Sequence, residues 1–133
     1  MKLIGRSILW CVISLLVTTT AFSQKRTAPS VAIEGTYEHL TVGEGSGDLE
    51  GMRVILIDGG GGIHAIVQEA AGGVELPDPA MTAVTVKGTA ISFSIKFPGE
   101  DATQTFSGKV SATGLTLHRG NSKQSFFLKR RKC

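Results

Sequence analysis

Residues Ile55 to Ile57, Asp58, four consecutive glycines from Gly59 to Gly62, Ile63 and His64 form the stretch in which reaction chemistry or phosphate binding would first be sought. A glycine loop cradles phosphate when a strand leads in and a helix leads out, because the unpaired N–H groups at the helix N-terminus bind the anion. The spacing fits neither standard form of that loop. A phosphate loop continues Gly-Lys-Ser/Thr where this chain has Gly62-Ile63-His64, and a dinucleotide loop needs its last glycine where His64 stands. After the loop, Ile63, Ile66, Val67 and Ala70 fit one face of a helix, whereas Ile63, Ala65 and Val67 fit the alternation of a strand. Such a helix would end after eight residues at Gly72-Gly73, and no further strand–helix units follow to build a nucleotide fold. The stretch is therefore expected to be a hairpin. Asp-Gly is a strong signal for one, because the turn demands a positive φ that glycine adopts without steric cost.

The other candidates are weaker. Glu44, Ser46, Asp48 and Glu50 alternate like the oxygen ligands of a calcium loop, but an EF-hand needs glycine sixth and an acid twelfth, where this chain has Leu49 and Ile55. The stretch reads as a polar loop. His39, His64 and His118 lie far apart in sequence, so a shared metal or catalytic site would depend on the fold, and no serine sits in a nucleophile elbow. No catalytic constellation, cofactor or metal site is expected, and the protein reads as a non-enzyme.

The first residues point to export. Lys2 and Arg6 precede an apolar run from Ile8 to Val17, and Ala21-Phe22-Ser23 supplies a small-residue cleavage site, the pattern of a secretory signal peptide over residues 1–23. The run is shorter than the ~20 residues of a membrane-spanning helix. Cleavage before Gln24 removes Lys2, Arg6, Cys11 and Trp10, leaving 110 residues with 12 basic and 11 acidic side chains. A net charge near neutral weakens any case for nucleic acid as a partner. The expected location is periplasmic or extracellular. Cys133 is the one cysteine left, so the processed chain is expected to be a monomer, with a Cys133-linked dimer as the alternative.

Residues 24–33 read as a flexible leader, residues 34–131 as a single domain and residues 132–133 as a tail. The domain consists of short apolar runs cut by glycine or polar clusters. Ile91-Ser92-Phe93-Ser94-Ile95-Lys96-Phe97 alternates strictly and forms a hairpin with Ala83-Val84-Thr85-Val86-Lys87 through the corner at Gly88. Phe106 to Val110 and Leu115 to His118 form a second hairpin, with Phe106, Val110, Leu115 and Leu117 inward, and Ser125 to Arg130 is the last strand, with Phe126 and Leu128 inward. Thr36 to Leu40 is the first strand and Met52 to Ile57 a second that is apolar on both faces, and the count reaches eight if Val74-Glu75-Leu76 belongs to a strand. The expected fold is all-β, a small antiparallel up-and-down (meander) barrel of about eight strands, with a two-sheet sandwich as the alternative. Stable insertion in a membrane is not expected, because a membrane barrel needs strands of ~9–11 residues with an apolar outer band, and these are short with Thr, Ser and Lys outside.

Residues 31–78 hold nine acids and one base, Arg53, while residues 103–133 hold seven bases and no acid. If the sheet closes, Glu34 and Glu38 on the first strand face the basic last strand and complement it.

The two ends of the domain resemble the lipocalin-like (calycin) barrels, in which Gly-x-Trp in the first strand packs under an arginine of the last. Here Gly35-Thr36-Tyr37 stands at the start and Phe126-x-Leu128-x-Arg130 at the end, with tyrosine in place of tryptophan. The resemblance implies that Tyr37 and Arg130 stack and close the barrel, and that a small apolar or amphipathic ligand binds in its mouth. The residues expected to line that site are Tyr37, Leu56, Val84, Phe93, Ile95 and Phe106. The rival reading is a solid-cored envelope protein that acts through surface contacts with a partner or an anionic glycan. The export reading predicts that the secreted form begins at Gln24, which intact mass and N-terminal sequencing of the exported protein will establish. A chain retaining Trp10 would overturn it.

Overall fold

The computed structural model describes residues 30–132. The expected signal peptide, residues 24–29 of the leader and Cys133 lie outside these residues. Among the described residues there are nine strands and no helix: β1 Gly35–Val42, β2 Leu49–Asp58, β3 Ile63–Ala71, β4 Ala80–Ala83, β5 Thr85–Lys87, β6 Ala90–Ile95, β7 Gln104–Val110, β8 Gly114–Arg119 and β9 Ser125–Arg130. All pair antiparallel in one sheet ordered β4-β3-β2-β1-β9-β8-β7-β6-β5. The fold is an up-and-down, nearly closed barrel, and the sandwich alternative falls away.

Two joints close the sheet. At the first, β1 meets β9 with Tyr37 opposite Arg130 and Glu38 opposite Lys129. At the second, the terminal strands β4 and β5 are consecutive in the chain, the two halves of one extended segment broken at Val84. The first half pairs with β3 and the second with β6. Val84 N–H still donates to the Ile63 carbonyl at 2.8 Å, and Thr82 Oγ1 donates to the Ser94 carbonyl at 2.8 Å across the joint. The run from Ala83 to Lys87, read as one strand, is thus divided because it changes partners partway along. Val74-Glu75-Leu76 is not a strand. These residues belong to the loop between β3 and β4, where Val74 is 79% exposed.

Alternation places the core. Tyr37, Met52, Val54, Leu56, Ala65, Val67, Ile91, Phe93, Ile95, Phe97, Phe106, Val110, Leu115, Leu117 and Leu128 are buried, and Val31, Ile33, Val84, Val86 and Phe126 pack against them. Strand β2 is not buried on both faces: Met52, Val54 and Leu56 point in, while Ile57 is exposed and Ile55 lies outside opposite Ile66. Neighbouring isoleucines shelter one another on the outer wall, so an apolar run does not require two buried faces.

The glycine stretch is the expected hairpin. Asp58 pairs with Ile63, and Gly59 N–H donates to the Gly62 carbonyl at 2.9 Å. Gly60 N–H donates to Asp58 Oδ1 at 2.8 Å, and Gly60 has φ +78°. These amides are occupied within the turn, beside a carboxylate that would repel phosphate. A different constraint acts at Gly108, whose φ is ordinary but where a Cβ would stand 2.1 Å from the Thr116 carbonyl oxygen. Gly108→Ala is therefore expected to force β7 from β8 and to cost about 1–3 kcal/mol of stability. Gly61→Ala, with nothing within 4 Å of the added carbon, is expected to be close to neutral. Urea unfolding midpoints of the two variants check the contrast.

Candidate functional site

An up-and-down barrel sends its connections alternately to its two ends, and here the ends differ. Residues 59–62, 88–89 and 111–113 turn at one end, which the segment before β1 covers. Val31 and Ile33 pack on the core there, so the chain is held from residue 31 onward. Arg130 fastens this segment. Its Nη1 donates to the Glu34 carbonyl at 3.1 Å, and its Nη2 donates to the Ala32 carbonyl and to Tyr37 Oη. Tyr37 Oη in turn donates to the Ile33 carbonyl at 2.7 Å, and the guanidinium carbon sits 4.9 Å from the centre of the Tyr37 ring. Gly35 leaves the guanidinium its space, since a Cβ there would lie 3.3 Å from Nη1. A ring that accepts a cation on its face while its hydroxyl meets the same guanidinium gives both strand ends one shared anchor.

On the outer wall of the same joint, Glu38 meets Arg53 at 2.8 Å and Arg131 at 2.9 Å. Glu38 thus complements the basic strand as its position suggested. Glu34 takes part through its backbone carbonyl, not its carboxylate.

Residues 43–48, 72–79, 96–103 and 120–124 form the opposite end, the mouth. Their acids, Glu44, Asp48, Glu75, Asp78, Glu100 and Asp101, outnumber the bases Lys96 and Lys123. Glu69 from the end of β3 and Arg119 from the end of β8 form an ion pair across the opening. The Arg119 guanidinium lies 5.3 Å above the Phe106 ring, which stacks on Phe93 at 5.2 Å and meets Phe126 edge-on at 6.4 Å. This pair separates two recesses that share its side chains. One, of about 210 Å³, is bounded by His39, Met52, Ala70, Phe126 and Leu128. The other, of about 500 Å³, is bounded by Pro77, Asp78, Phe97, Glu100 and Gln104.

The residues expected to line a ligand site lie deeper than this mouth. Tyr37, Leu56, Phe93, Ile95 and Phe106 are buried core side chains packed on one another, with Val84 partly buried beside them. None of the six borders either mouth recess. The strand period identifies inward positions but does not distinguish a residue that fills the barrel from one that rims it. Met52, Glu69, Arg119 and Phe126 were missed as site residues for that reason. Their one signal is position, at the strand ends nearest the long loops.

The fold does not unite the histidines. His39 borders the mouth, His64 Nδ1 lies 3.1 Å from the Gly62 carbonyl beside the glycine turn, and His118 lies on the outer wall. Residues 43–48 are closed by their own backbone, with Gly43 N–H donating to the Asp48 carbonyl at 2.8 Å. Among the described residues no group of three or more His, Cys, Asp or Glu is arranged to hold a metal ion. No protein-family model, curated protein or solved structure matches the chain.

Burial raises the Tyr37 hydroxyl above its ordinary pKa of 10.0, partly opposed by the charge of Arg130 and its hydrogen bond. The folded protein holds this proton more tightly than the unfolded chain. The associated stability is complete below pH ~10 and is lost as the pH rises through the higher native value. Tyr37 is the sole tyrosine, so the ultraviolet absorbance of phenolate reports it alone. The native protein is expected to ionise at higher pH than the same chain in guanidinium chloride, and coincident curves would contradict this.

Proposed function

We propose that this chain is an exported, non-enzymatic, lipocalin-like binding protein, monomeric in the periplasm or outside the cell, that takes a small amphipathic ligand at the mouth of the barrel. The observation that carries the reading is the pair of recesses sharing Glu69 and Arg119. Concave openings with an apolar wall and a few polar groups are the usual form of small-ligand sites. The wall here is Met52, Phe126 and Leu128 on one side and Phe97 with Pro98 on the other. The lipocalin-like element of the reading is supported by the Tyr37–Arg130 stack that joins the first and last strands.

The filled interior limits how far a ligand enters. Phe93, Phe106 and Phe126 occupy the space beneath Arg119, so the ligand's apolar part lies across the mouth instead of descending the axis. Its polar head meets Glu69 and Arg119. The acids of the surrounding loops favour an uncharged or cationic head over a carboxylate.

Calorimetric titration of the exported protein with dodecylammonium, dodecanol and laurate tests the reading. Saturable binding is expected, weakest for laurate, and Phe126→Ala is expected to weaken it about tenfold through loss of apolar wall. Failure of all three to saturate would remove the mouth as a ligand site.

A further inference from the structure

The outer wall formed by β5 to β9 carries a second surface, independent of the mouth. Strand register aligns Thr85, Ser92, Ser107 and His118 in one row across four strands, and Lys87, Ala90, Lys109, Thr116 and Phe127 in the next row across five. Between these rows lies a groove of about 430 Å³ bounded by Lys87, Lys109, His118 and hydroxyl side chains, and no carboxylate borders it. Neither Lys87 nor Lys109 forms an ion pair among the described residues. The arginines of the basic half behave differently: Arg119 is paired with Glu69, Arg131 with Glu38, and Arg130 with Tyr37 and backbone carbonyls. At the end of the second row Phe127 is 47% exposed, and its ring lies against Gly114, where a Cβ would come within 2.4 Å of Cζ.

We propose that this groove binds an anionic polysaccharide, a sulfated or uronate glycan chain lying across the strands. The cations do not converge on one point. Lys87 and Lys109 both flank Ala90 and stand two interstrand spacings apart, ~10 Å at the backbone. That separation suits charges repeated along a polymer better than a single bound ion. Short hydroxyls between the lysines offer donors and acceptors matched to sugar hydroxyls, and the flat Phe127 ring offers a sugar face an apolar platform. Nucleic acid is less well matched, because its binders combine a denser line of cations with several stacking aromatics, and among the described residues this wall offers Phe127 and the His118 imidazole alone.

The test is fluorescence anisotropy of the exported protein with a labelled heparin octasaccharide at low and physiological salt. Binding is expected at low salt, weakening as salt rises. Lys87→Gln with Lys109→Gln is expected to weaken it at least about tenfold, with the thermal midpoint unchanged because both side chains are exposed. A second variant, Ser107→Glu, places an acid in the groove and is expected to abolish binding, whereas Lys96→Gln with Lys123→Gln at the mouth leaves it intact. Absence of binding, equal binding by the Lys87 and Lys109 double variant, displacement by equimolar duplex DNA, or displacement by inorganic sulfate at matched ionic strength would overturn the proposal. Dodecylammonium binding is read in a separate titration, so the mouth and the groove stand or fall apart.

Discussion

The contact between Tyr37 and Arg130 is the one on which the rest of the barrel depends. A sheet of short strands leaves two edges of unpaired N–H and C=O groups, and joining those edges removes that liability. Here the first strand reaches the last beside a buried phenol that holds a guanidinium by its face and its hydroxyl. The same guanidinium reaches back to two carbonyls of the segment before β1. Strand pairing, burial of the ring and coverage of one barrel end therefore rest on the same two side chains.

Closure at this joint sets the polarity of the molecule. With one end covered by Val31, Ile33 and the Arg130 hydrogen bonds, the longer loops gather at the other. Their acids collect around the mouth, while Lys87, Lys109, Lys129, Arg131 and Lys132 lie toward the covered end. Along the chain this looked like an acidic first part and a basic last part. In space the division runs along the barrel axis, because alternate connections return to the same end. Among the described residues, the partial cancellation of charge at the joint involves Glu38, Arg53 and Arg131, and Lys87 and Lys109 of the β5 to β9 wall stand exposed without an ion pair.

Much of the fold was legible in the sequence because a barrel wall imposes a period of two. Ile91, Phe93, Ile95 and Phe97 alternate with Ser92, Ser94 and Lys96, and no other arrangement buries the first set while wetting the second. The glycine run was legible for a related reason, since a return between alternating segments demands positive φ, and Gly60 and Gly62 supply it. The division at Val84 was not, because pairing partners change without any change in alternation. Nor was the exposure of Val74 or Ile57, since apolar character states a preference for burial that loops and neighbouring side chains override.

By itself, the sequence determined the all-strand class and the inward set of residues, since these follow from local period, while the pairing of Tyr37 with Arg130 was implied by the resemblance of the domain's two ends to lipocalin-like barrels. Only the tertiary structure decided which inward residues fill the barrel and which rim it. Phe93 and Phe106 share their alternation with Arg119, yet Phe93 and Phe106 are buried and Arg119 spans the mouth. That difference depends on height along the barrel axis, which is set by register between strands distant in the chain, and strand register cannot be read from the spacing of residues within one strand.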